Sequence, residues 1–253
     1  MNNLKVSLFM PVYNAFRYIP HSLNEAYRCL SECCDQFEIV IVDDTSTDQT
    51  AQFIQDIERA EYPSDKVVRV IRNQNGPSRR ENLAKAFATA HYNIIGFIDV
   101  DLSFGMEYLT QAIQLMLSES VDIVIGSRYV RGAKVTRELS RRTLSFFYNL
   151  TIRVLFGSRI YDHQCGLKIF RKSVAERICQ EMGYDAAFQR GWFWDAEFLI
   201  RAQKDKLVIR EMPVVWRYAR TSTFHFFREL KCIGSMLRLR VALSPFFRKR
   251  ISQ

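Results

Sequence analysis

Two short acidic stretches hold the residues best suited to chemistry. The first is Ile41-Val42-Asp43-Asp44-Thr45-Ser46-Thr47-Asp48, where an apolar run stops at two carboxylates followed by small hydroxyl residues. Carboxylates at such a point can accept hydrogen bonds from a nucleobase N–H or from sugar hydroxyls. The second is Gly96-Phe97-Ile98-Asp99-Val100-Asp101. Read as the end of a strand, alternation sets Asp99 and Asp101 on one face, close enough that both stay ionised only beside a cation. Mg2+ or Mn2+ favours such oxygen ligands, with one or two carboxylates completed by substrate phosphates. An Asp-Asp pair alone also serves as a helix cap or turn, and a lone Asp-x-Asp arises by chance. Together on neighbouring strands they point to a ligand site.

The elements that must position these acids alternate regularly. Strand-like runs cover Lys5–Met10, Phe37–Val42, Lys66–Arg72, Ile94–Asp99 and Asp122–Gly126, short and rich in Val, Ile, Leu and Phe. Helical spacing falls between them, over Tyr18–Cys33, Thr47–Glu61, Arg79–Ala90 and Met106–Ser118. Asp48 and the Ser78…Glu81 pair read as helix starts. A β-α-β-α order predicts a mostly parallel sheet covered by helices on both faces. Ligands bind such sheets beyond the carboxyl ends of the strands, where the acids lie. Further on, helices are expected over Arg137–Phe156, Ser173–Glu181 and Asp195–Lys204, and strands over Cys165–Phe170 and Leu207–Trp216. The expected organisation is one α/β domain over 1–220, divided at 126 into a donor half and an acceptor half, then a basic amphipathic segment over 221–253.

Charge divides the chain in the same place. Residues 1–126 carry 10 basic and 17 acidic side chains, and residues 127–253 carry 26 and 10. The first half is acidic and the second strongly basic, suited by charge alone to nucleic acid, anionic lipid or a phosphorylated substrate. At 48% hydrophobic and 25% charged, the composition excludes intrinsic disorder. Its charge-free apolar stretches, Val6–Phe16 and Thr143–Ile152 among them, are too short to span a bilayer. No signal-peptide pattern opens the sequence. The six cysteines form no C-x-x-C pair, so reduced thiols in the cytoplasm are expected.

Four stretches in the first half give a resemblance: Phe9-Met-Pro11-Val-Tyr13-Asn14, Val42-Asp43-Asp44-Thr-Ser-Thr-Asp48, Gly76-Pro77-Ser78…Asn82 and Phe97-Ile-Asp99-Val-Asp101. In order and spacing the chain resembles a family 2 glycosyltransferase of the GT-A fold. Gly126-Ser-Arg128-Tyr129, Asp162-His-Gln-Cys165-Gly166-Leu-Lys168-Ile-Phe170 and Trp192-Phe-Trp-Asp195-Ala-Glu197 are similar to the polyprenyl-phosphate (dolichyl-phosphate) hexosyltransferase branch. The resemblance covers residues 4–220. It implies an inverting transfer of a hexose from a nucleotide-sugar donor, UDP-linked by preference, to a polyprenyl phosphate, with Mg2+ or Mn2+.

By the same resemblance Pro11, Tyr13, Asp43 and Asp44 hold the nucleotide, Asp44 accepting from the base N–H. Asp99 faces ribose and metal-bound phosphates, and Asp101 is the chief metal ligand. Asp195 stands where the family places its catalytic carboxylate. It serves as a base for a hydroxyl acceptor, or only orients an acceptor phosphate that is already an anion. Arg128, Arg141 and Arg142 resemble a lipid-phosphate clamp, suited to planar guanidinium forks. The pattern departs where Arg79-Arg80-Glu81-Asn82 replaces Ala-Arg-Asn, so either Arg79 or Arg80 would meet the diphosphate. Leu102-Ser103-Phe104 replaces the polar residue usual after Asp-x-Asp.

The tail over Thr223–Arg250 alternates Phe, Leu and Met with Arg and Lys, as an interfacial helix on anionic lipid does. A peripheral position at the inner membrane face is therefore expected, without nucleic acid and with self-association left open. His163 and Cys165 are read as a loop pair that shapes the acceptor site rather than as a metal site or nucleophile. A sugar-phosphate nucleotidyltransferase would need a Gly-rich phosphate loop after the first strand, and a dehydrogenase Gly-x-Gly-x-x-Gly; Met-Pro-Val-Tyr-Asn stands there instead. Transfer to a soluble or glycan acceptor, and an inactive lipid-binding module, are the remaining readings.

Overall fold

The computed structural model describes residues 4–74, 76, 80–136, 139–184, 190–191, 193–217 and 231–243, with backbone alone at 139–141 and 231–232. Five parallel-type strands come where the alternation predicts: β1 (Lys5–Val12), β2 (Gln36–Asp43), β3 (Lys66–Arg72), β4 (Ile94–Ile98) and β5 (Ile123–Ser127). Between them lie α1 (Ile19–Cys33), α2 (Gln49–Arg59), α3 (Arg80–Phe87) and α4 (Glu107–Ser118). Pro20 sits in the first turn of α1, where its missing N–H costs nothing. Asp48 caps α2, accepting from the Thr50 amide at 2.9 Å and satisfying a donor with no intrahelical partner. Ser78 lies outside the described residues.

After β5 come β6 (Lys134–Thr136), α5 (Leu139–Phe156), β7 (Leu167–Arg171), α6 (Lys172–Met182), α7 (Phe193–Lys204), β8 (Ile209–Pro213), β9 (Val215–Arg217) and α8 (Lys231–Ala242). Seven strands form one sheet in the order β3-β2-β1-β4-β7-β5-β8. All neighbours run parallel except β7, which is antiparallel to both β4 and β5. The single strand expected over Leu207–Trp216 is two: Val214 leaves the sheet, and β9 pairs instead with β6 in a separate two-stranded ribbon. The part of the basic tail at 218–230 and 244–253 lies outside the described residues.

Alternation along the strands supplies both faces of the core. Val6, Leu8, Met10 and Val12 of β1 join the cluster under α1 and α4, while Phe9 joins the opposite cluster with α3, α6 and α7. There Phe87 packs edge-on against Phe9 and Phe170 with centroids 5.1 and 5.2 Å apart, and Trp194 stacks on Phe198 at 5.5 Å. Burial of such side chains contributes about 1.5–3 kcal/mol each, which makes the sheet a rigid base for the loops above it. A third cluster joins α5, α7 and α8 through Ile152, Phe193, Ala196, Ile200 and Leu239.

Candidate active site

The carboxyl ends of β1, β2 and β4 share an unusual backbone feature. Asn14, Thr45 and Leu102, each just past one of these strands, have φ of 47°, 68° and 43°. Left-handed backbone is uncommon outside glycine and is strained for a β-branched residue. Cross-loop hydrogen bonds hold it in place. Asn14 Oδ1 accepts from the Thr47 amide at 2.8 Å, and Thr45 Oγ1 donates to the Asn73 carbonyl at 2.7 Å. Gly76 presses against the β2 loop so closely that a Cβ there would stand 2.0 Å from the Asp44 carbonyl oxygen.

Asp43 and Asp44 both lie buried at the end of β2. Asp43 Oδ1 accepts from the Ser46 amide at 3.1 Å, shaping the loop. Asp44 Oδ1 accepts from Asn82 Nδ2 at 2.8 Å and Asn73 Nδ2 at 3.3 Å, so its carboxylate is oriented by two amides. Pro11 is half-buried in β1, and Tyr13 just beyond it is exposed. Arg79 lies outside the described residues.

The second acidic stretch differs from its sequence reading in one respect. β4 stops at Ile98, so Asp99 and Asp101 occupy a turn rather than a strand, closed by the Leu102 amide on the Asp99 carbonyl at 3.3 Å. Strand alternation therefore does not bring them together; the turn does. Ser22 of α1 donates its hydroxyl to the Val100 carbonyl between them. On the other side Gly166 gives Asp99 room, since a Cβ there would lie 2.2 Å from Asp99 Oδ2. Burial, and then the neighbouring Asp99, push the Asp101 carboxyl above its ordinary range. A divalent cation would relieve both effects, so these oxygens fit one. No cluster of three or more His, Cys, Asp or Glu suited to a metal exists among the described residues, and further donors would have to come from a ligand.

Asp195, in the first turn of α7, is buried between two cations. Lys168 Nζ lies 2.9 Å from its Oδ1 and Arg80 Nε 3.3 Å from its Oδ2. Arg80 also reaches Asp99 Oδ1 through Nη2 at 2.9 Å, so a single guanidinium links the turn after β4 to α7. Burial opposes ionisation of Asp195, but the Lys168 ammonium and Arg80 guanidinium outweigh it and hold the carboxyl below its usual range. A second ion-pair system sets the two helices against each other: Arg190 bonds Glu197 of α7 at 2.9 Å and reaches Glu81 of α3 at 3.7 Å.

Lys168 received no role from the sequence, although a signal was present. It is a lone charge inside the apolar strand Leu167-Lys168-Ile169-Phe170 and is almost fully buried; a buried lysine requires an anionic or carbonyl partner. It finds both, bonding the Cys165 carbonyl at 2.6 Å besides Asp195.

The three arginines expected together occupy different settings. Arg128 is buried, with Nε and Nη2 each 2.7 Å from an oxygen of Asp162 and its guanidinium carbon 5.0 Å from the Trp216 ring centre. Its fork already holds a carboxylate within the fold, which departs from an open phosphate clamp. Arg142 is exposed on the first turn of α5. The Arg141 side chain lies outside the described residues. His163 and Cys165 are fully buried. Burial pushes the His163 imidazole down to about 4, and it sits neutral, 2.9 Å from Ser158 Oγ and 2.8 Å from Asn149 Oδ1. His163 and Cys165 both lie on the loop that carries Asp162, the partner of Arg128.

Comparison with known proteins agrees with the geometry. The chain is 29% identical over 236 residues to glycosyltransferase AglD of Haloferax volcanii, covering 92% of this chain and 36% of AglD. It is 29% identical over 227 residues to the dolichyl-phosphate beta-glucosyltransferase of Saccharomyces cerevisiae, covering 83% of this chain and 66% of that protein. The chain thus spans about a third of the first relative and just under two thirds of the second. Among solved structures it superposes on glucosyl-3-phosphoglycerate synthase from Mycobacterium tuberculosis, in complex with Mn2+, UDP-glucose and phosphoglyceric acid. That match has a TM-score of 0.68 at 16% identity, over 95% of this chain and 81% of that one. The architecture is the GT-A fold expected from the sequence. The model of glycosyl transferase family 2 matches residues 7–179, and this chain belongs to that family.

Proposed function

We propose that this protein is a metal-dependent, inverting glycosyltransferase that moves a hexose from a nucleotide sugar, UDP-linked by preference, to a polyprenyl or dolichyl phosphate at a membrane surface. The observation that carries the reading is the acid turn Asp99–Asp101, linked by Arg80 to the buried Asp195. Family membership and the lipid-phosphate specificity named for the yeast relative support it.

In this reading Asp44, aimed by Asn73 and Asn82, accepts from the base N–H, while Pro11 and Tyr13 flank the base and Asp43 keeps the loop in register. Asp101 and Asp99 would hold Mn2+ or Mg2+, which when bound would supply neutralisation of the charge that develops on the departing diphosphate. Arg80, or Arg79 beside it, turns toward that diphosphate, and Arg80 gives up Asp99 when it does. Lys168 and Arg80 hold the Asp195 carboxyl below its usual range, which weakens it as a proton acceptor. Held by Lys168, it orients the acceptor phosphate, which needs no deprotonation to attack. Displacement in one step inverts the anomeric centre. Arg142 and Arg141 at the start of α5 meet the lipid phosphate; Arg128 shapes the same region from beneath through Asp162.

The test is thermal stabilisation by UDP, GDP and their sugar conjugates, each with and without Mn2+. A ligand bound only to the folded state raises the melting temperature by mass action. A metal-dependent rise with a uridine nucleotide supports the reading. No rise with any nucleotide removes the donor site.

A further inference from the structure

Helix α5 covers one side, where Ile152, Tyr148 and Phe156 join the cluster with α7, and leaves a run of large apolar side chains on the other, unlike a helix on a soluble surface. Its inward side carries the buried Ser145 and Asn149 beside Ile152. Ser145 Oγ has no hydrogen-bond partner. The outward side presents Leu144, Phe146, Phe147, Leu150, Val154 and Leu155, with Phe147 56% and Val154 75% exposed. Helix α8 repeats the arrangement: Ser235 and Leu239 are buried while Ile233, Leu237 and Val241, four residues apart, face outward, Leu237 at 62%. Both helices pack by their inward sides on α7. Exposed apolar surface on this scale marks a docking site.

Charge selects the occupant. The two helices hold six basic residues, Arg141, Arg142, Arg153, Lys231, Arg238 and Arg240, and no acidic one. A second copy of the chain would bring the same charge against it, which costs association. An anionic lipid surface meets both features, taking apolar side chains below the headgroups and arginines at their level. Among the described residues no helix is long and apolar enough to cross a membrane, so the arrangement suits lying on a bilayer. We infer that the outward faces of α5 and α8 form a bilayer-docking surface selective for anionic lipid. This deepens the function proposed above, because it names the surface through which a lipid-borne acceptor would be met.

Sedimentation of the full chain with phosphatidylcholine vesicles, with and without phosphatidylglycerol, tests the inference without substrate or turnover. The wild type is expected to bind vesicles containing phosphatidylglycerol, more weakly without it and more weakly in high salt. The double variant Phe146→Ser/Phe147→Ser should lose at least about tenfold in binding, and Leu237→Ser a smaller factor. Because all three side chains are exposed, the circular dichroism and melting temperature of these variants should match the wild type. Absence of vesicle binding, or binding untouched by the substitutions, overturns the inference. So does a concentration-dependent dimer that the same substitutions dissociate, which would give the face to a second copy. Vesicle binding without any nucleotide-induced stabilisation would instead leave this surface standing and remove the donor site.

Discussion

Asp195 is gripped by cations from two different elements, Lys168 of β7 at 2.9 Å and Arg80 of α3 at 3.3 Å. The carboxylate is therefore fixed in position and kept ionised by the same contacts. Removing Lys168 separates these effects. Lys168→Met leaves a buried carboxylate with one partner fewer, and breaking such a pair costs about 3–5 kcal/mol. Its melting temperature should fall. The Asp195 carboxyl should rise toward its ordinary range, so the acidic limb of the pH–activity profile moves to higher pH. An unchanged limb would remove Lys168 from the positioning of Asp195.

Asp101 behaves in the opposite sense. Burial and Asp99 raise its carboxyl, so the charged form strains the protein in the absence of a cation. Asp101→Asn should leave the ligand-free melting temperature unchanged or slightly higher while abolishing the Mn2+-dependent stabilisation by UDP. A variant that keeps that stabilisation contradicts the assigned metal site.

Arg128 and Asp162 form a buried bidentate pair. Arg128→Ala should cost about 3–5 kcal/mol in stability by leaving Asp162 unpaired. Arg128→Met combined with Asp162→Leu should recover a large part of that loss. Denaturant melts of the single and double variants measure it. If Arg128 instead served chiefly to bind the acceptor, Arg128→Ala would raise KM for polyprenyl phosphate with little change in stability.

His163 gives a pH dependence with a definite sign. Its folded value of about 4 lies below the ordinary 6.5, so the unfolded chain binds the extra proton first. Stability from this group is complete above pH 6.5 and is lost as pH falls toward 4, by an amount on the order of 3 kcal/mol. Asp162, Asp195 and Glu38 have lowered carboxyls and lose their contribution only in the acid range below. Asp101 and Glu211, raised by burial, act with the opposite sign. The comparison is therefore between wild type and His163→Leu: the variant is less stable at pH 7 but should show a shallower decline to pH 5. Parallel curves would contradict a neutral buried imidazole.

The acid pairs, the succession of strands and helices in the first half and the helix start at Asp48 were legible in the sequence because each depends on local pattern. The expected adjacency of the two acid-bearing strands was not, since β1 lies between β2 and β4. Asp48 caps α2 as its position suggests, and Asp44 and Asp99 stand at strand ends. What was hidden depends on contacts distant in sequence. The turn that brings Asp99 to Asp101 rests on Leu102 at φ 43° and on Ser22, 78 residues away from the carbonyl it bonds. The fate of Arg128 was decided by Asp162, 34 residues on. β6 is three residues long, too short to show a period. The outward apolar side chains of α5 follow the helical repeat, but which side is covered is visible only once α7 is in place.

The most direct test of the central claim is transfer itself. The chain would be incubated with UDP-glucose labelled in the sugar, Mn2+ and detergent-solubilised polyprenyl phosphate, and label counted in the organic phase. The account predicts lipid-linked label that requires Mn2+ and disappears in Asp101→Asn and Asp195→Asn, both with the wild-type fold. Transfer that persists in Asp101→Asn or without divalent metal would contradict it.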